Sequence, residues 1–247
     1  MWVKVRLTNG MLIDGPLLSR LARYPVPDVS VSLDGRTAAT VERFKTGVAF
    51  ERVVAAVGKI RSALPGTSLS TVFVAHTGNI RELPGYMDFV SRLGVRTVFV
   101  NHLLSFTPAT APLCLYANGH EELAGECFRA AARRAAANGQ SLWLPGVKPE
   151  LRGCRQAENL FIGTDGNICP CDFLAVSTPF HFQGESTRSA PVVFGNALEQ
   201  DARAVFNSRP FSRFRAAHRS GEKLPQACRS CIDAYGLMCS NRKRHGA

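Results

Sequence analysis

Six of the eight cysteines lie in the last 94 residues: Cys154, Cys169, Cys171, Cys228, Cys231 and Cys239. No other feature limits the fold as tightly, because so many thiols in one region must be paired, bound to metal or buried. The amino terminus, Met1-Trp2-Val3-Lys4-Val5-Arg6-Leu7, alternates apolar with basic residues and has no signal-peptide core. The expected compartment is the cytoplasm, where structural disulfides are not maintained, so the crowding points to metal. Cys228-x-x-Cys231 presents two thiolates from one knuckle. Upstream, Cys154 is followed by eleven residues, Gly166, four residues and Cys171, then a gap of 56 residues to Cys228. Four thiolates suit either zinc or an iron–sulfur cluster, and ligand type alone leaves both open. Cys114 and Cys127 stand apart and read as buried, inert thiols.

Length bounds the rest. At 247 residues, 45% of them hydrophobic, the chain can bury one large core or two ordinary ones. No apolar run approaches the ~18 residues that cross a bilayer, so no membrane association is expected. The net charge of +11 is uneven, with ten Lys/Arg against two acids from Arg203 to Ala247. Such a tail attracts nucleic acid or an acidic partner, or is simply a solvated face.

Before residue 145 the chain alternates between strand and helix. Val3–Leu7, Val29–Leu33, Leu69–Ala75, Val95–Val100 and Ser141–Leu144 read as strands. Helices are expected at Gly15–Arg23, Phe50–Leu64, Leu83–Leu93 (capped by Gly94) and Glu121–Asn138, with a loop over Asn101–Asn118. That order implies right-handed crossovers and a parallel sheet, with too few strands for a closed eight-stranded barrel. The rhythm stops at Pro145-Gly146-Val147-Lys148-Pro149, which sets expected domains of 1–147 and 148–247. Beyond it, Leu160–Ile162, Thr164-Asp165-Gly166-Asn167 and Ile168–Cys171 read as a hairpin, Pro179–Pro191 as a loop and Ala202–Arg219 as a basic helix.

The segment from Cys154 through Asn159-Leu-Phe-Ile-Gly-Thr-Asp-Gly-Asn-Ile-Cys-Pro-Cys171, Phe194-Gly-Asn-Ala-Leu198 and Cys228-Arg-Ser-Cys231 resembles the SPASM/twitch domain of radical SAM enzymes. Thr8-Asn9-Gly10, Val29-Ser-Val-Ser-Leu-Asp-Gly35 and Asn79-Ile-Arg-Glu-Leu-Pro84 resemble successive strand-to-helix loops of the same enzymes. The fold class this implies is α/β: an incomplete parallel (βα) partial barrel followed by a small α+β, cysteine-rich SPASM/twitch domain. The resemblance further implies one auxiliary [4Fe-4S] cluster on Cys154, Cys171, Cys228 and Cys231. Cys169 competes with Cys171 for the hairpin position, where the Gly166 spacing favours Cys171, and Cys239 is a spare ligand or structural. Asn9, Ser32 and Asp34, at carboxyl ends of parallel strands, would border the nucleoside of S-adenosylmethionine. His76, Asn79 and His102 follow later strands and could face substrate, though each also reads as an ordinary loop residue.

One departure from the family pattern matters. The sequence has no CxxxCxxC, whose three thiolates hold the cluster that cleaves S-adenosylmethionine to a 5′-deoxyadenosyl radical. The chain resembles the carboxy-terminal two-thirds of an oxidoreductase or maturase that acts on a peptide or small metabolite, with a flavodoxin or ferredoxin as reductant. As given, it is expected not to cleave S-adenosylmethionine, which leaves its status as an enzyme open. The competing reading is a non-enzymatic zinc-thiolate or iron–sulfur module binding nucleic acid or a protein partner. Nucleic acid is not the expected partner, because the competing reading leaves the family-like βα loops unexplained.

Overall fold

The computed structural model describes residues 7–116, 119–154, 158–220, 224–229 and 231–238. Four strands form a parallel sheet in the order β1 (Asp28–Ser32), β2 (Ser68–Ala75), β3 (Thr97–His102), β4 (Ser141–Trp143). Thr8 adds a parallel bridge to Val31, through Thr8 N–H to Ser30 O at 2.9 Å and Ser32 N–H to Thr8 O at 2.8 Å. The expected first strand, Val3–Leu7, falls almost wholly outside the described residues.

The crossovers are helical because their apolar residues recur at helical spacing. After α1 (Gly15–Leu21) and α2 (Ala38–Phe44), α3 (Phe50–Ala63) buries Phe50, Val53, Ala56, Val57 and Ile60 along one stripe. A 3-10 turn at Ile80–Glu82 leads into α4 (Leu83–Arg92), and α5 (Glu121–Ala137) returns the chain to β4. These stripes close over Val29, Val31, Phe73, Val98, Val100 and Leu142 of the sheet in one continuous core. Segment 36–49, left unassigned by sequence, contains α2, whose Thr37 side chain caps Thr40 N–H. The third long strand runs two residues later than the Val95–Val100 expectation, because Val95 closes the α4 turn through its N–H to Val90 O.

The carboxy-terminal part holds two small sheets. β5 (Phe161–Ile162) and β6 (Asn167–Cys169) form the expected hairpin, and β9 (Gly195–Asn196) pairs antiparallel with β6. Pro179–Pro191 is not a plain loop: β7 (Pro179–Phe182) and β8 (Glu185–Arg188) pair antiparallel there. The single basic helix expected at Ala202–Arg219 is two helices, α6 (Ala202–Phe206) and α7 (Arg209–Ser220). Pro210 accounts for the break: it lacks the N–H that a continuous helix would use and its ring would clash with the preceding turn. It sits instead in the first turn of α7, where a missing N–H is harmless.

Two features join the halves. Segment 146–152 runs alongside 234–236, with Gly146 N–H to Gly236 O, Glu150 N–H to Tyr235 O and Arg152 N–H to Ala234 O at 2.8–3.1 Å. The loop after β3 also crosses over, since Cys114 and Tyr116 pack with Phe180, Phe182, Ile232 and Leu237 in a second core.

Candidate metal centre

Three separate stretches of chain bring cysteines to one cavity. Cys154, Cys171, Cys228 and Cys231 line it together with Asp172, Phe173, Leu174, Phe214, His218, Asp233 and Ala234. Each stretch has a local reason to be there. Gly153 adopts φ +76°, and a Cβ on it would lie 2.6 Å from the His218 carbonyl oxygen. Only glycine lets the chain turn into Cys154 this close to α7. Gly166 adopts φ +80° at the hairpin turn, where Asn196 donates its Nδ2–H to Asp165 O at 3.0 Å. The Gly-Asn pair of β9 thereby locks the hairpin that leads to Cys171. The 3-10 turn Gln226–Cys228 places Cys228, and Cys231 opens a second 3-10 turn over Ile232–Tyr235.

The thiols are set up differently. Burial raises the Cys171 thiol, an effect partly offset by the backbone N–H groups of Leu174 and Phe173, and Cys231 is likewise approached by those of Asp233 and Ala234. Both therefore sit where two amides two and three residues on can stabilise a thiolate. Cys154 Sγ donates to Asp233 Oδ2 at 3.3 Å. Without a cation, burial pushes the Cys228 thiol up to about 12, and the neighbouring Cys231 and Cys171 add repulsion. Burial likewise raises Cys231 to about 11. Such crowding of anions is what a bound cationic centre relieves.

Four thiols lining one cavity fit either four-coordinate zinc or a cluster that offers each thiolate its own iron.

The other sequence candidates fall elsewhere. Cys169 is buried in β6, is not among the cavity-lining residues, and its Sγ lies 4.0 Å from Asn167 O. Cys239 lies outside the described residues. Cys114 and Cys127 are both buried, as read from sequence, and burial raises both thiols. Burial also raises Cys169.

At the carboxyl edge of the sheet, Asp34 is buried and ion-paired to Lys45 Nζ at 2.7 Å, while its Oδ1 accepts Val74 N–H at 2.9 Å. Lys45 also donates to Ser32 Oγ at 2.6 Å. Asn9 is exposed and its Oδ1 accepts Met11 N–H. Asn79 is buried and stitches the edge: Nδ2 donates to Asp34 O and Val74 O, and Oδ1 accepts His76 N–H. His76 Nδ1 accepts Gly78 N–H, and His102 Nε2 lies 2.6 Å from Gly146 O. These three residues are engaged in holding backbone. Sequence reasoning missed Lys45 and His218. A lysine ten residues after Gly35, just past α2, and a histidine inside a basic helix carry no spacing signal.

Comparison with known proteins agrees with this layout. Residues 154–232 match the SPASM family model, described as an iron-sulfur cluster-binding domain. The chain is 27% identical over 238 residues to a tungsten-containing aldehyde ferredoxin oxidoreductase cofactor-modifying protein of Pyrococcus furiosus, covering 91% of this chain and 64% of that one. It is 24% identical to an AdoMet-dependent heme synthase of Methanosarcina barkeri, covering 96% and 68%. It thus spans about two thirds of the length of these relatives. The fold matches native anSMEcpe solved with bound AdoMet and Kp18Cys peptide at a TM-score of 0.63 and 14% identity, covering 96% of this chain and 66% of that one. Residues 154–232 thus match an iron–sulfur cluster-binding SPASM domain, and the chain as a whole has a fold similar to that of anSMEcpe.

Proposed function

We propose that this chain belongs to an oxidoreductase or maturase that modifies a peptide or a small metabolite, and that its SPASM part holds one auxiliary [4Fe-4S] cluster. The observation that carries this reading is the convergence of Cys154, Cys171, Cys228 and Cys231 on one cavity within the matched domain. The substrate class follows from the relatives, one named for cofactor modification, one for heme synthesis, and a structural neighbour solved with a peptide. We place the division between the two parts at 147/148, just after β4 ends at Trp143 and within the segment that pairs with residues 234–236. A flavodoxin or ferredoxin in the cytoplasm is the inferred electron donor. When bound, S-adenosylmethionine and the cluster supply one-electron chemistry.

This chain's residues prepare both sites. Burial raises the Cys171 and Cys231 thiols, the amides of Phe173, Leu174, Asp233 and Ala234 offset part of that rise, and Phe173, Leu174 and Phe214 form the apolar part of the cavity wall. At the sheet edge, Lys45 bridges Ser32 and Asp34, so the Ser32 hydroxyl can donate outward while Asp34 holds the β2 backbone. We infer that Asn9, Ser32 and Asp34 order this edge for the nucleoside.

The test is anaerobic reconstitution with ferrous iron and sulfide, followed by metal and sulfide analysis. Iron and sulfide in equal amounts, about four each per chain, are expected. Alanine at Cys154, Cys171, Cys228 or Cys231 should abolish or deplete loading, and alanine at Cys169 should leave it intact. Zinc bound without sulfide would replace this reading with a thiolate-stapled binding module.

A further inference from the structure

Besides the cysteines and the two aspartates, the cavity wall carries one imidazole, His218, among the described residues. It is only 7% exposed, and neither ring nitrogen has a hydrogen-bond partner among the described residues. A buried imidazole carries an N–H donor and a lone pair, and leaving both unmet is unfavourable enough that native structures rarely do so. The ring is not there for want of another place. Phe214, one turn earlier on α7, lines the same cavity with its ring centroid 4.9 Å from that of His218. The His218 carbonyl oxygen abuts Gly153, the residue that turns the chain into Cys154. Helix α7 therefore presents the imidazole to the ring of thiols from a backbone position fixed on the Cys154 side.

We infer that His218 donates a ring N–H hydrogen bond to a sulfur of the centre bound in this cavity, a cysteine thiolate or an inorganic sulfide. The inference rests on the cluster reading above. Four thiols already supply one ligand for each of four irons, so the imidazole is not needed as a ligand, whereas sulfur acceptors are what its N–H lacks. A hydrogen bond to a cluster sulfur stabilises the more negative, reduced form and so raises the reduction potential. His218 is thus assigned the tuning of the centre rather than its assembly.

The experiment uses the full chain reconstituted with ferrous iron and sulfide, in wild type, His218→Phe and His218→Gln. Iron and sulfide are counted first. If wild type binds no cluster, the cluster reading fails before the His218 question is reached. With all three loaded, a potentiometric titration followed by electron paramagnetic resonance should show His218→Phe shifted to a more negative potential. His218→Gln, which keeps an N–H donor, should lie closer to wild type. Equal potentials in all three would overturn the inference. If the variants do not fold, wild type labelled with ¹⁵N-histidine decides the question. Weak nitrogen coupling together with an exchangeable proton coupled to the reduced centre is expected. Strong coupling would show direct iron ligation, absence of coupling would show no contact, and either would overturn the hydrogen-bond assignment.

Discussion

Asp34 shows how a polar side chain at a sheet edge can be ordered without being available. Its carboxylate is buried, holds the Val74 amide and is neutralised by Lys45, whose ammonium also reaches Ser32. Replacing Lys45 by Met would leave a buried carboxylate without its countercharge. Because Lys45 is itself a quarter exposed, the loss should be below that of a fully buried pair, about 2 kcal/mol. Urea unfolding of Lys45→Met at neutral pH checks this, and a midpoint equal to wild type would show that the pair contributes nothing. Asp34 and Ser32 were legible in the sequence as strand-end polar residues. Lys45 was not, because the α2 turn that brings it back to β1 depends on a cap at Thr37 and on tertiary contact rather than on periodicity.

Among elements, those with a long apolar stripe were legible and those built from exceptions were not. Phe50–Ala63 and Leu83–Arg92 follow their 3.6-residue pattern nearly to the residue. The β7–β8 hairpin escaped because its turn is Gln183-Gly184, with φ of +54° and +80°, and lacks the Asn-Gly or Asp-Gly signature of that geometry. Its second strand, Glu-Ser-Thr-Arg, has no apolar alternation either. The α6–α7 break, by contrast, was readable from Pro210. What holds these two short helices is aromatic: Phe211 is fully buried, with its ring centroid 4.4 Å from Phe194 and 5.2 Å from Phe206. Phe211→Ala should cost about 4 kcal/mol locally and loosen the wall that carries Phe214 and His218. Amide exchange should accelerate through 158–220 with β2 and β3 unchanged. Equal acceleration in the sheet would mean that the two parts open as one unit.

At the scale of the whole molecule, stability is linked to pH through histidines held neutral. Burial lowers His76 below its ordinary 6.5, and the nearby Asp34 charge only partly opposes this. Below that ordinary value the unfolded chain takes up a proton that the folded chain resists. The stabilisation is therefore complete above about pH 6.5 and is lost as the pH falls further. Cluster-free protein should show a lower urea midpoint at about pH 5.5 than at about pH 7.5. His76→Asn, whose amide oxygen can still accept Gly78 N–H, should flatten part of that slope. An unchanged slope would place the proton uptake elsewhere. The α/β order and the cysteine spacing were legible because each repeats a local rule. The crossing of the Cys114–Tyr116 loop into the second core was not, since it depends on where two surfaces meet.

The hydrogen bonds from segment 146–152 to residues 234–236 also set an order of events during synthesis. Cys154 and Asp233, which meet in the finished protein, are 79 residues apart in sequence. A nascent chain exposes Cys154 and Cys171 well before the knuckle that closes over them has left the ribosome. The α/β sheet, whose strands are complete by residue 143, can fold first and hold segment 146–152 ready as a template. The cavity can close only when Cys228 and Cys231 have emerged, so iron and sulfide meet four thiols together only after that knuckle has been made.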